Sequence, residues 1–329
     1  MKRLVVYLNG VRVGVLSDAE EPAFAYDTDW LATGPGFPLS RQLPLKKEPF
    51  SGRAVRAYFS GLLPEAEPRD RIASILGVSG GNDFAILERI GGDCAGAVSL
   101  LPEEVPMAAL RTGAIRWLDE PALASIVERL PQQPLMAGES GLRLSLAGAQ
   151  VKLPIILAEN GASAEMRVAL PLDETPSTHI LKPEPSRFPG LVANEAWCMA
   201  LAREVGLRVA ECHRRIIGKT PCLIVQRYDR EAGPDGRVQR LHQEDFCQAL
   251  GFPASRKYQQ EGGPSLKDCF GLIREWSSVP VVDIRDFLDG IIFAALTGNA
   301  DVKSCSAGLV YSTGILLAKI RSLGSSVRE

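Results

Sequence analysis

The chain has 329 residues, 46% hydrophobic and 23% charged, with a net charge of −2. This composition suits a globular protein of about two domains and offers no basic surface for nucleic acid, so any DNA contact is expected to run through a partner. Seven cysteines without a CxxC pair argue against a zinc site or a disulfide framework, and the absence of a signal peptide or an 18-residue apolar run points to the cytoplasm and away from a membrane.

Residues 3–16, RLVVYLNGVRVGVL, predict a β-hairpin, because Asn9-Gly10 supplies the positive-φ pair of a two-residue turn. Residues 53–76 predict helix, with Leu62, Leu63 and Ile75 among its apolar positions and a break at Pro64 and Pro68. GGDCAGAVSLLPEE (91–104) reads as a glycine turn entering a strand. A small β-rich subdomain is therefore placed at 1–105. From 141, GLRLSL, AGAQ and VKLPIIL read as strand, tight turn and strand. THILK (178–182) is a short strand ending on a lysine, and 191–206 has helical periodicity closed by Gly206. PCLIVQRYDR (221–230) is an apolar strand that turns polar. Beyond it the pattern is mostly helical. Residues 283–298 predict a helix capped by Asp283, buried through Ile284, Phe287, Leu288, Ile291, Ala295 and Leu296, and ended by Gly298. Asn299-Ala300-Asp301 then falls in the following loop.

Several of these positions carry chemistry. Small residues at Ala147, Gly148 and Ala149, with Gln150, Val151 and Lys152 after them, allow backbone N–H groups to approach phosphate oxygens, although an ordinary hairpin turn reads the same way. Lys182 can neutralise nucleotide phosphates, and Glu195 on the next helix can orient it; a solvated strand end and a surface glutamate are the plain alternatives. The strand end at Gln226, Arg227 and Tyr228 can present backbone groups to an adenine edge or form an ordinary sheet edge. Asp301 can accept a substrate hydroxyl proton or serve as a turn aspartate. The order of these features is that of a protein kinase. Only three histidines, His179, His213 and His242, are present, a poor basis for histidine catalysis.

The stretches LLPEAEPRDRIA (62–73), GGDCAGAVSLLPE (91–103), LSLAGAQVKLP (144–154), STHILKPEP (177–185), VQRYDR (225–230), QEDFCQALGFPASRKYQQEGGPS (243–265) and GNAD (298–301) together resemble the HipA family of serine/threonine kinase toxins. The resemblance implies an α+β, protein-kinase-like fold. Its parts are the N-terminal subdomain (1–105), an ATP-binding N-lobe-like region (106–230) and a truncated helical C-terminal lobe (231–329). It further implies ATP bound by residues 147–152, Lys182 and the hinge 226–228, with Asp301 as proton acceptor. Ser145 takes the place of an autophosphorylated serine whose modification ejects the loop. A HipB-like DNA-binding antitoxin is the implied partner, and an aminoacyl-tRNA synthetase is among the implied substrates.

The sequence departs from the family after Asp301. Lys303 stands at the position of a family histidine, Ser306 at that of a metal-binding asparagine, and Ser322 at that of the aspartate expected to hold Mg²⁺. Val151 replaces an acidic residue. No metal-ligand position is intact. Two functions are therefore carried forward: an active kinase toxin, and a catalytically dead relative that keeps antitoxin binding. A lipid kinase is disfavoured, because no basic or amphipathic membrane-facing surface is evident.

Overall fold

The computed structural model describes residues 1–298 apart from 35, 107–112, 161–162, 234–236 and 258, together with strands at 307–312 and 315–320. The first half of the chain opens with strands β1 (Arg3–Leu8), β2 (Val11–Ser17) and β3 (Ala23–Tyr26) and helix α1 (Thr28–Thr33). Strand β4 (Phe50–Ser51), helices α2 (Arg53–Ser60), α3 (Ala66–Leu76) and α4 (Asp83–Ile90), and strand β5 (Val98–Pro102) follow. The strands form an antiparallel sheet in the order β4-β3-β2-β1-β5. Asn9 and Gly10 both have positive φ, and Leu8 pairs with Val11, so the two-residue hairpin is present as expected. The helical stretch 53–76 is broken between α2 and α3, where Pro64 falls. Ile75, an anticipated apolar position of that stretch, is exposed.

The second sheet is built from β6 (Ile115–Leu118), β7 (Leu153–Asn160), β8 (Ser163–Pro171), β9 (His179–Pro183), β10 (Cys212–Ile217) and β11 (Thr220–Gln226), with α5 (Glu120–Arg129) after β6 and α6 (Leu191–Glu204) after β9. Its order is β10-β11-β9-β7-β8-β6, and every neighbouring pair is antiparallel. A single apolar core runs from Leu4, Val6 and Phe24 of the first sheet to Leu153, Ile155, Leu181 and Ile224 of the second. The two sheets are therefore packed as one body rather than joined by a linker.

The rest comprises β12 (Arg230–Ala232), β13 (Val238–Arg240), β14 (His242–Asp245), α7 (Phe246–Leu250), α8 (Leu266–Trp276), α9 (Pro280–Leu296), β15 (Ala307–Ser312) and β16 (Ile315–Ile320). This region is not purely helical, since β14, β15 and β16 form a three-stranded antiparallel sheet. Phe246, Leu272, Ile273 and Phe287 make a second core beneath it with Leu309 and Tyr311.

Two local expectations are corrected. Residues 141–150 are not a strand and hairpin turn. β7 pairs with β8 and β9, and the segment before it touches the N-terminal subdomain through isolated parallel bridges, Leu144 with Asp93 and Gly148 with Pro64. The alternation reflects burial: Leu142 and Leu144 lie in the core shared by both sheets, and Leu146 is buried as well. Helix α9 begins at Pro280, whose fixed φ and missing N–H suit the first helical position, with Val279 as its cap. Asp283 instead lies within the helix, fully buried, and accepts a hydrogen bond from Ser277 Oγ at 2.6 Å. The buried stripe is Asp283, Phe287, Gly290, Phe293 and Ala294, while Leu288, Ala295 and Leu296 are exposed.

Candidate functional site

Alternation along β9 sends Leu181 into the core and Lys182 to the opposite face. Helix α6 lies across that face. Its Val192 and Met199 pack on Leu223 and Val225 of β11. Its first turn is fixed by Glu184, whose carboxylate accepts from the backbone N–H groups of Gly190 at 2.5 Å and Val192 at 2.7 Å. Glu195 shares the buried side of the helix with Val192 and Met199, at i, i+3 and i+7. Lys182 Nζ consequently meets Glu195 Oε1 at 2.5 Å, with 14% and 6% of the two side chains exposed. The anticipated lysine and helix glutamate are thus brought together.

The segment from Ser145 to Lys152 runs beside this pair. Ser145 is fully buried. Its N–H donates to the Asp93 carbonyl at 3.0 Å, and its hydroxyl donates to the Leu62 carbonyl at 2.7 Å. The Gly148 carbonyl accepts from the Glu65 N–H at 3.3 Å. Gly148 has φ +113°, and a Cβ there would lie 2.5 Å from Lys152 Nζ, so a side chain is disfavoured by both backbone and space. Lys152 Nζ donates to the Ala147 carbonyl at 2.5 Å. Burial, and then the positive charge of Lys182, pushes the Lys152 ammonium down to about 8; Glu65 and Glu195 oppose this shift, and Lys257 adds to it. Three lysines therefore gather with two carboxylates beneath a loop of small residues. Gln150 Nε2 is buried and has no hydrogen-bond partner among the described residues. A clustered positive charge and an unsatisfied donor suit a polyphosphate.

At the strand end, the Gln226 N–H donates to the Glu211 carbonyl at 2.8 Å and the Arg227 N–H to the Thr178 carbonyl at 2.9 Å. The Arg227 side chain turns inward. It donates to Asp229 at 2.8 and 2.9 Å, to Ser177 Oγ at 2.9 Å and to the Cys94 carbonyl at 2.9 Å. Tyr228 donates its hydroxyl to Gln243. The Arg227 and Tyr228 side chains are thus engaged within the protein, while Gln226 is exposed.

Arg227 belongs to a larger buried joint. Asp93 accepts from Arg230 at 2.9 Å and Arg240 at 3.2 Å and lies 3.3 Å from Arg227, while Asp229 accepts from the Gly96 N–H at 2.7 Å. Burial raises the Asp93 carboxyl, but Arg230, Arg227 and Arg240 overcome it and hold the group at about 2. This joint ties GGDCAG of the N-terminal subdomain to VQRYDR at the end of the second sheet. QEDFCQ makes a second joint. Glu244 is fully buried and accepts from Ser40 Oγ at 2.6 Å, from the Arg41 N–H at 3.0 Å and from the Tyr311 hydroxyl. Asp245 and Gln248 form a capping box on α7, and Gln248 Nε2 donates to the Tyr58 carbonyl at 2.8 Å. Residue patterning singles out Lys152, Lys182 and Glu195 but not Glu65 or Lys257, which form an ion pair across 192 positions of sequence.

Asp301, Lys303, Ser306 and Ser322 lie outside the described residues. No group of three or more His, Cys, Asp or Glu side chains able to hold a metal is present among the described residues. No described helix is long and apolar enough to cross a membrane.

A strand lysine paired with a helix glutamate beneath a glycine-bearing loop belongs to the protein-kinase-like fold, and comparison with known proteins gives the same class. Residues 4–101 match the HipA N-terminal domain and residues 144–307 the HipA-like C-terminal domain. The chain is 46% identical over 308 residues to a Sinorhizobium fredii protein named "Putative kinase Y4mE", covering 92% of this chain and 72% of that one. It is 34% identical over 314 residues to the serine/threonine-protein kinase toxin HipA of Shewanella oneidensis, covering 91% of this chain and 69% of the toxin. A solved complex of Shewanella oneidensis HipA, HipB and operator DNA superposes with a TM-score of 0.78 at 31% identity, over 96% of this chain and 74% of that one. The chain belongs to the HipA family.

Proposed function

We propose that this chain binds ATP beside Lys182 and transfers its γ-phosphoryl group to a serine or threonine of a protein. The observation that carries this reading is the buried Lys182–Glu195 pair next to Lys152 and the Gly148 loop. In this role Lys182 neutralises the α- and β-phosphates, Glu195 holds it in place, and Lys152 with the Ala147–Gln150 backbone covers the β- and γ-phosphates. The backbone of Gln226–Tyr228 receives the adenine edge. Asp301 accepts the hydroxyl proton as the substrate oxygen bonds to the γ-phosphorus and the bond to the ADP oxygen breaks. Ser145, buried under the same loop, is the autophosphorylation site, since a dianion cannot stay in its place.

The family implies Mg²⁺ with ATP. Ser306 and Ser322, aligned with its ligands, supply neither a carboxylate nor a carboxamide, so the metal fits this chain poorly. A HipB-like antitoxin is the proposed partner, by likeness to the HipA of the HipB–DNA complex, with DNA reached only through it. The protein substrate is of the kind the family resemblance implies, an aminoacyl-tRNA synthetase. Incubation with γ-labelled ATP and Mg²⁺ or Mn²⁺ tests the reading. Label on Ser145 that disappears in Asp301→Ala supports it. Nucleotide binding without label under either metal overturns the transfer step and leaves a binding protein.

A further inference from the structure

Glu65 occupies the residue before α3, the capping position of that helix, yet its side chain makes no capping hydrogen bond. It reaches instead to Lys257, whose ammonium it meets in an ion pair. Lys257 is 6% exposed, so this is a buried cation answered by a carboxylate from the other end of the molecule. The backbone is shaped for the purpose. Ala66, next in the chain, has φ +48°, a left-handed conformation that residues with a Cβ seldom adopt. The Glu65 N–H also donates to the Gly148 carbonyl, beside the Pro64–Gly148 bridge. One residue of the N-terminal subdomain thus holds the glycine of the nucleotide loop with its backbone and a lysine of the C-terminal region with its side chain. The charges acting on Lys152 are those of Lys182, Glu65, Lys257 and Glu195, so Glu65 also supplies one of the two carboxylates in the cluster.

We propose that Glu65 is a positioning residue of the nucleotide site, through which the N-terminal subdomain fixes the Gly148 loop and holds Lys257 beside Lys152 and Lys182. The inference rests on the ATP-site reading for its purpose, but its contacts can be tested without nucleotide. Glu65→Gln removes the ion pair and Glu65→Asp preserves the charge. Hydrogen exchange of residues 145–152 in the full chain is expected to quicken roughly tenfold in Glu65→Gln and to return toward the parent rate in Glu65→Asp, with β9 and β11 unchanged. Binding of a fluorescent ATP analogue, followed from about pH 7 to 10, is expected to fall off at lower pH in Glu65→Gln, because the lysine cluster loses a carboxylate that favours its protonated form. Equal loop exchange in parent and Glu65→Gln, or exchange quickened equally in every segment, overturns the proposal. Quickened loop exchange in a protein that binds no analogue supports the Glu65 contact and overturns the ATP reading. Should Glu65→Gln fail to fold, Lys257→Met breaks the same pair from the other side and is read by the same exchange measurement.

Discussion

The Ser145 hydroxyl donates to the Leu62 carbonyl at 2.7 Å, and the residue is fully buried. A neutral donor suits that place and an anion does not. Ser145→Ala loses one buried hydrogen bond and leaves the Leu62 acceptor short, a loss of about 1–2 kcal/mol. Ser145→Asp places a carboxylate against a carbonyl oxygen and should cost about 3–5 kcal/mol if the loop stays in place, or else expel it. Denaturation midpoints give the first effect. Protease cleavage within 144–152, quick in Ser145→Asp and slow in the parent, gives the second. Resistance of the loop in Ser145→Asp would show that the buried serine is not the switch.

Lys182 and Glu195 should be unequal under substitution. If Lys182 holds the nucleotide phosphates as proposed, Lys182→Ala removes that contact, whereas Glu195→Gln leaves the lysine in place without its orienting charge. Affinity for an ATP analogue is expected to fall by roughly 10²-fold in the first and about tenfold in the second. Calorimetric titration of both variants checks the order. Equal affinity in the parent and Lys182→Ala would remove the lysine from the site.

Local rules carried the sequence reading a long way where one segment decides its own structure. Asn9-Gly10 dictated the first hairpin, and the apolar spacing of 191–206 with Gly206 behind it dictated α6. They failed where the partner lies far away in sequence. Leu142, Leu144 and Leu146 alternate like a strand, but the bridges of this segment join Leu144 to Asp93 and Gly148 to Pro64, which no local pattern announces. Asp283 looks like a cap because aspartates often are, while Pro280 carried the true start of α9. Arg227 was legible as part of a strand end, but not as the centre of a joint with Asp93 and Asp229. Two acids and three arginines from three segments become meaningful only once the sheets are packed.

That joint makes a stability prediction. Asp93→Asn removes the carboxylate that answers Arg230 and Arg240 and leaves buried guanidinium groups undercompensated, a loss of about 3–5 kcal/mol. The pH dependence follows from the depressed carboxyl. Asp93 sits at about 2 in the folded chain against an ordinary 3.8, so its contribution is complete above about pH 4 and is lost as pH falls toward 2. Urea unfolding of parent and Asp93→Asn at pH 7 and near pH 3 should show the gap between them narrowing in acid. A gap independent of pH would mean that the charge is not what holds the joint.

Glu244 should behave in the opposite sense. Burial pushes its carboxyl up to about 7, against the hydrogen bonds from Ser40, Tyr311 and the Arg41 N–H that favour the charged form. The folded chain therefore keeps a proton that the unfolded chain has released above about 4.5. The stabilisation from this group is complete below about pH 4.5 and drains away as pH rises through 7. Glu244→Gln keeps the shape and an acceptor oxygen, while the Ser40 and Tyr311 hydroxyls can each turn to accept from its amide. The variant should match or exceed the parent at pH 8 and lack the parent's decline between pH 5 and 7. Melting temperatures across that range decide it. A decline of equal size in both proteins would move the titrating group elsewhere. Because Glu244 joins β14 and β15 to the Ser40–Arg41 turn of the N-terminal subdomain, any decline that vanishes with the substitution belongs to the seam between the two ends of the chain.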